Sequence, residues 1–265
     1  MYQEFLTKTL NEASKIAKQM FGKVEGRLKD GDPIQVLTEA DLKIGKFIIG
    51  EIEKYFPEHN IIDEEAGAID KKSEFTWVID PIDGTANFAH KIPLYGIMIG
   101  LLKDCKPLAG GVALPEFGKI YIAEKGEGTF LNGEKLDISD SGKIKTNIIA
   151  YGLNGNVENP ELTRKEGKYI AEIVLGYPIN NSSNSVYDTC LVLEGHYAGV
   201  LNQTSKIWDN VAPQIITQEA GGVFSDFYGE ELDYSDCFNK MNRNYTNCTA
   251  SPGIHKKLQE IIHNL

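Results

Sequence analysis

Thr76-Trp77-Val78-Ile79-Asp80-Pro81-Ile82-Asp83-Gly84-Thr85-Ala86-Asn87-Phe88-Ala89-His90 opens apolar and breaks into acid, proline and glycine. Phe75 to Ile79 is rich in β-branched and aromatic side chains, which predicts a short buried strand. Asp80-Pro81 is expected to end it, because proline donates nothing to a sheet ladder and biases the preceding residue to extended geometry. Asp80 and Asp83 would then sit on a tight turn at the strand end. Gly84-Thr85 adds backbone N–H groups and a hydroxyl. Two carboxylates beside such donors suit a hard cation that must meet an oxyanion.

Upstream of this stretch, Phe5, Ala13, Ile16, Ala17 and Met20 fall near helical spacing and predict an amphipathic helix ending at Gly22. Asp30-Gly31-Asp32-Pro33 reads as a turn. Thr38-Glu39-Ala40-Asp41 has the form of a capping box, with Asp in the fourth place. The helix it opens buries Ile44, Phe47, Ile48 and Ile52 and ends before Pro57, and Asn60-Ile61-Ile62 is a short strand running into Asp63-Glu64-Glu65. Downstream, 94–102, 107–114, 119–124 and 128–131 read as successive antiparallel strands on short connections. Helices are expected over 162–175 and 185–194, and another from Trp208-Asp209 to a glycine stop at Gly221-Gly222. Strands are expected at 197–201 and 222–227, and Ile254, Leu258 and Ile261 mark a closing helix. Helices and antiparallel strands in blocks argue for an α+β fold rather than strict βαβ alternation.

Composition sets the outer limits. The 265 residues are 42% hydrophobic and 25% charged, ordinary for a globular protein able to bury a full core. The net charge of -11 comes without a basic block, so nucleic acid is not an expected partner. The longest apolar run, 94–102, is well short of the ~20 residues a membrane helix needs, so no membrane association is expected. Met1-Tyr2-Gln3-Glu4 opens with no secretory pattern, and Cys105, Cys190, Cys237 and Cys248 are scattered without a C-x-x-C pair. Both features fit a cytoplasmic protein with idle thiols.

Three acidic groups fall at predicted element ends: Asp63-Glu64-Glu65, Asp80 with Asp83, and Asp209. Each alone is explained as a turn or cap residue. Converging, they would repel strongly unless cations neutralise them. All-oxygen ligation points to Mg²⁺, with Mn²⁺ able to substitute. Two such ions roughly 3.5–4 Å apart clamp a phosphate ester and activate water. The five histidines are dispersed, and no Ser–His or Cys–His arrangement offers a protein nucleophile.

The stretch 77–90 resembles the signature of the inositol monophosphatase family. Ile62-Asp63-Glu64-Glu65 is similar to that family's acidic pair, and Trp208-Asp209 through Glu219-Ala220-Gly221-Gly222-Val223 to its second signature. Gly110-Gly111-Val112 and 126–133 also fit, so the resemblance spans most of the chain. It implies one domain over 1–265, a layered αβαβα sandwich with largely antiparallel mixed sheets, as two close halves meeting near 140–150. It also implies a homodimer that hydrolyses a phosphate monoester with two or three Mg²⁺ ions and is inhibited by Li⁺. Glu64, Asp80 and the Ile82 carbonyl would hold one ion, and Asp80, Asp83 and Asp209 a second. Glu64 would also serve a third, weaker ion or its water, and Asp41 and Glu65 would stand outside the direct ligands or beside that ion. Glu64 and Thr85 would orient the attacking water as the catalytic pair. The phosphate would meet Asp83, Gly84, Thr85 and Asp209.

The sequence departs from the family on the substrate side. A Gly-Ser/Thr-Ala-Ala run is usual where this chain reads Ser183-Asn184-Ser185-Val186, and a glutamate where it has Asn202. Gln35 replaces a common Asp. The expected activity is hydrolysis of a sugar or polyol monophosphate. Fructose 1,6-bisphosphate, histidinol phosphate and 3′-phosphoadenosine 5′-phosphate are alternative substrates on the same scaffold. Ala86-Asn87, where nucleotide-directed members have Lys-Glu, leans away from nucleotides. A haloacid-dehalogenase-type phosphatase would need its two aspartates two apart rather than three. A non-catalytic metal-binding module is the remaining rival, supported only by the altered substrate loop.

Overall fold

The structure is a computed structural model that describes residues 1–28, 36–139, 146–155 and 159–265. The expected turn at 30–33 and Gln35 lie outside the described residues, as does 140–145, where much of the expected boundary between halves falls.

Helix α1 (Tyr2–Met20) turns Leu6, Leu10, Ala13 and Ala17 inward at four- and three-residue steps, the stripe of a helix packed on one side. Strands β1 (Arg27–Leu28) and β2 (Val36–Leu37) pair before α2 (Glu39–Tyr55), which Thr38 and Asp41 cap reciprocally. There follow β3 (Asn60–Asp63), β4 (Gly67–Ile69), β5 (Phe75–Asp83), the single turn α3 (Thr85–Ala89), β6 (Gly96–Lys103), β7 (Lys106–Leu114), β8 (Lys119–Glu124), β9 (Gly128–Leu131) and β10 (Glu134–Leu136). The second part runs β11 (Ile148–Gly152), α4 (Pro160–Gly176), β12 (Ile179–Asn180), α5 (Val186–Leu193), β13 (Gly199–Ser205), α6 (Ile207–Glu219), β14 (Val223–Ser225), β15 (Tyr245–Ala250) and α7 (Pro252–His263).

Among the described residues, the first group of strands forms an eight-stranded sheet in the order β10-β9-β8-β7-β6-β5-β3-β4, antiparallel except between β3 and β5. The second forms a five-stranded mixed sheet, β12-β11-β13-β15-β14. Helices α1 and α2 cover the outer face of the large sheet, α5 and α6 lie between the sheets, and α4 and α7 close the far face of the small one. This is the αβαβα layering expected from the sequence.

Helix α6 lies unusually close to the large sheet. A β-carbon on Gly110 would come 2.6 Å from Ile215 and 3.0 Å from the Ala212 backbone, and one on Gly100 would strike Val211. These glycines let α6 sink onto β6 and β7, and so set the height of its first turn above β5.

The strand at Phe75 does not stop at Asp80, as the proline had suggested. It runs to Asp83, with a register irregularity against β6 between Asp80 and Asp83. A β-bulge is where a proline inside a strand is tolerated, because the missing N–H falls where the ladder is already interrupted.

Candidate active site

Sheet geometry assembles the acidic residues. In the parallel pair of β3 and β5, Asp63 is opposite Ile79, so Glu64 emerges beside Asp80, its N–H bonded to the Ile79 carbonyl at 3.2 Å. Side chains alternate along β5. Trp77 and Ile79 enter the core under α1 and α2, while Val78 packs with residues of α6. Asp80 shares the face of Val78. Three residues on, Asp83 would face the other way in a regular strand. The bulge resets the alternation, so Ile82 joins the outer core and both carboxylates look inward.

Asp209 arrives on the first turn of α6, below the buried Trp208. Its Oδ2 accepts the Lys206 N–H at 2.6 Å, capping the helix from a position where the dipole favours a carboxylate. One oxygen each from Asp80, Asp83 and Asp209 lies within 4.8 Å of the others. Burial pushes the Asp80 and Asp209 carboxyls well above their usual range, and neighbouring acids add to it, Glu64 first on Asp80 and Asp83 first on Asp209. Burial pushes Asp83 up to about 7, although the Val186 N–H bonds to its Oδ2 and opposes the rise. Asp80 Oδ1 is buried without a protein hydrogen-bond partner. A buried carboxylate oxygen without a partner, on a side chain that converges with two other carboxylates, is what a hard divalent cation satisfies, so the donor set fits a metal.

Thr85 Oγ1 is 2.8 Å from the Ile82 carbonyl and 3.3 Å from Asp41 Oδ1, so its single proton has two acceptors to choose between. Asp41 is 1% exposed and its Oδ2 receives both the N–H and the hydroxyl of Thr38. Burial raises its carboxyl to about 6 against those bonds, and the charge of Glu65 adds to the rise. Gly84 has φ 84°, and a β-carbon there would meet Ser185 Cβ at 2.9 Å, so only glycine fits the corner between strand and helix.

Beside Asp83 and Asp209 opens a cavity of about 190 Å³. Asn184, Ser185 and Asn202, picked out from the sequence, line it, whereas Ser183 is tied into its loop through its backbone and a hydroxyl contact with Ser185. Asn154 and Asp188 also line the cavity and were missed from the sequence. An Asn in a loop and an Asp on the first turn of a helix carry no pattern that marks them.

The model of the inositol monophosphatase family matches residues 2–263. The chain belongs to the inositol monophosphatase family. As a member of that family it is a metal-dependent phosphoric monoester hydrolase. It is 31% identical over 227 residues to a fructose-1,6-bisphosphatase/inositol-1-monophosphatase of Aquifex aeolicus, covering 83% of each chain. It is 33% identical over 207 residues to human inositol monophosphatase 1, covering 76% of this chain and 74% of the human one. Among solved structures, an inositol monophosphatase of Thermotoga maritima superposes with a TM-score of 0.83 at 26% identity, over 98% of this chain and 96% of that one. These relatives place the α+β fold and the phosphatase activity of this family member together. No helix among the described residues is long and apolar enough to cross a membrane.

Proposed function

We propose that this inositol monophosphatase family member hydrolyses the monophosphate of a small sugar or polyol, using Mg²⁺ held by Glu64, Asp80, the Ile82 carbonyl, Asp83 and Asp209. The observation that carries this reading is the convergence of the Asp80, Asp83 and Asp209 oxygens beside a cavity, with Asp80 Oδ1 lacking a protein partner. Divalent cations bound there supply Lewis-acid stabilisation of phosphoryl charge and lower the pKa of water. The remaining work falls to the chain. Glu64 and the Thr85 hydroxyl orient the attacking water, and Thr85 relays the water's proton, taking it at Oγ1 while giving its own to the Asp41 carboxylate, whose pKa burial raises to about 6. The Gly84 and Thr85 N–H groups receive the phosphate, and Asp83 and Asp209 stand beside it. Glu65 adjoins Asp41, outside the direct ligands.

Family membership also supports inhibition by Li⁺, substitution of Mg²⁺ by Mn²⁺, a homodimer of single-domain chains and a cytoplasmic setting. A second reading, hydrolysis of fructose 1,6-bisphosphate, is favoured by the double name of the relatives from Aquifex aeolicus and Thermotoga maritima. The test is phosphate release from p-nitrophenyl phosphate and sugar monophosphates. Turnover is expected with Mg²⁺ and is expected to vanish with a chelator. Release that continues unchanged in chelator would refute the metal-dependent mechanism.

A further inference from the structure

We propose that the groove between α1 and the far strands of the large sheet is a second ligand site, which takes a small organic anion with an apolar body and seats its charged end near Lys18. This site lies outside the chemistry proposed above and does not depend on it.

Helix α1 packs on β6, β7 and β8. Beside β8 and β9 it leaves a groove of about 780 Å³, within the roughly 300–1,000 Å³ of small-molecule sites and larger than the 190 Å³ beside the acids. Ile120, Ile122 and Phe130 line it from the sheet. Thr7, Asn11, Ser14 and Lys18 line it from the helix, at steps of four, three and four residues that set them on one stripe. The Gln3 N–H donates to Glu124 at 3.4 Å, so α1 starts at the end of β8 and runs back along it toward Lys119. Lys15 and Lys18 therefore share the Lys119 end of the groove.

That end is basic in an acidic protein. Among the described residues, Lys15, Lys18 and Lys119 line the groove and no Asp or Glu does, although the chain carries a net charge of -11. Lys119 Nζ is held by Glu194 at 2.6 Å, and Lys15 Nζ by the exposed Glu12 at 2.7 Å. Lys18 has no ion pair among the described residues. Ser14, one turn before Lys18, has a buried Oγ with no hydrogen-bond partner, which leaves a donor beside that free ammonium. Exposed lysines bind a bare inorganic anion weakly, because such charges are well hydrated and screened. The affinity must then come from the floor, where the half-buried Ile120 and Phe130 gain by excluding water. The lysine stems can cover an apolar body while their ammonium groups stay at its charged end. Head and body together select an anion with an aliphatic or aromatic body over either part alone.

The probe is 8-anilinonaphthalene-1-sulfonate, an anion with an apolar body, titrated by fluorescence into the full chain, with uncharged N-phenyl-1-naphthylamine as its counterpart. One saturable site is expected on the natural chain, with the uncharged probe about fivefold or more weaker. Lys18→Gln is expected to weaken binding of the anion about two- to fivefold. Asn11→Trp, which lays an indole over the floor, is expected to weaken it about tenfold or more. Lys168→Gln, exposed on α4, should change nothing, and inorganic phosphate with Mg²⁺ should not displace the probe. Lys18 and Asn11 are both exposed, so their variants should keep the natural thermal midpoint. Unchanged affinity in both variants, equal affinity for the two probes, or displacement by phosphate with Mg²⁺ would overturn the inference. So would sedimentation showing that Asn11→Trp turns a dimer into monomers, since the groove would then seat a second copy of the chain. None of these outcomes touches the phosphomonoesterase reading, which phosphate release tests separately.

Discussion

On one side of the cavity, Asp83 shares strand β5 with Asp80, and Glu64 follows the end of that strand's parallel neighbour β3. On the other, Asn154, Asn184 and Asn202 come from three segments that meet around Gly152. The acidic side is braced by sheet hydrogen bonds and by a buried helix, whereas on the amide side Asn202 sits in β13 but the loop of Asn184 hangs on side-chain bonds to Asp188 and Asn87. The difference separates chemistry from choice. A cation tolerates little displacement of its ligands, and the acids proposed to hold one sit on rigid elements. A loop such as 182–185 can change without disturbing them.

The comparison can be broken first at the acidic side. Asp83→Asn removes one of the three converging carboxylates while leaving an acceptor for the Val186 N–H, and activity should fall roughly a hundredfold or more with the fold retained. Near-normal turnover together with an unaltered circular dichroism spectrum would deny Asp83 a place in the mechanism.

A second break concerns the scaffold under that side. Gly110→Ala pushes a methyl group against the Ala212 backbone and Ile215, so α6 must lift or the sheet must yield. Overpacking of this kind costs about 1–3 kcal/mol, read as a thermal midpoint several degrees lower, with activity reduced because Asp209 rides on α6. A midpoint matching the natural chain would show that the contact relaxes freely.

A third and smaller effect sharpens the comparison through pH. Asp83 and Asp41 have carboxyls raised to about 7 and about 6, and those of Asp80 and Asp209 are raised as well. For carboxyls raised on folding, the protonated forms stabilise the native state. That contribution is complete below pH ~4 and disappears as pH rises through about 6–7. Metal-stripped protein should therefore lose a few degrees of thermal midpoint between pH 5 and 8. His255, whose imidazole burial pushes down, works in the opposite direction. Adding Mg²⁺ at each pH removes that contribution from the comparison, and the Mg²⁺-induced rise should be larger at pH 8. A rise independent of pH would place cation binding away from these acids.

The elements that read well from sequence were those with a strong period or a clear stop. Helix α1, the capping box at Thr38 and the antiparallel run from β6 to β9 all have one. Strand β15 did not, since its buried positions include Asn247 and Thr249, polar letters that alternation rules leave in loops. Proline misled at β5 for a definite reason, because the rule that it ends a strand assumes a regular ladder.

What the sequence determined by itself was the inventory of chemistry: acids at Glu64, Asp80, Asp83 and Asp209 in a familiar order, set among apolar runs that had to become buried strands and helices. Only the tertiary structure decided which of their faces meet. One bulged residue turns Asp83 to the side of Asp80, two glycines bring Asp209 down to both, and a buried Asp188, which no local pattern marks, holds the 182–184 loop. Period and spacing are properties of neighbouring residues, whereas the convergence of side chains far apart in the chain depends on how the sheets and helices pack.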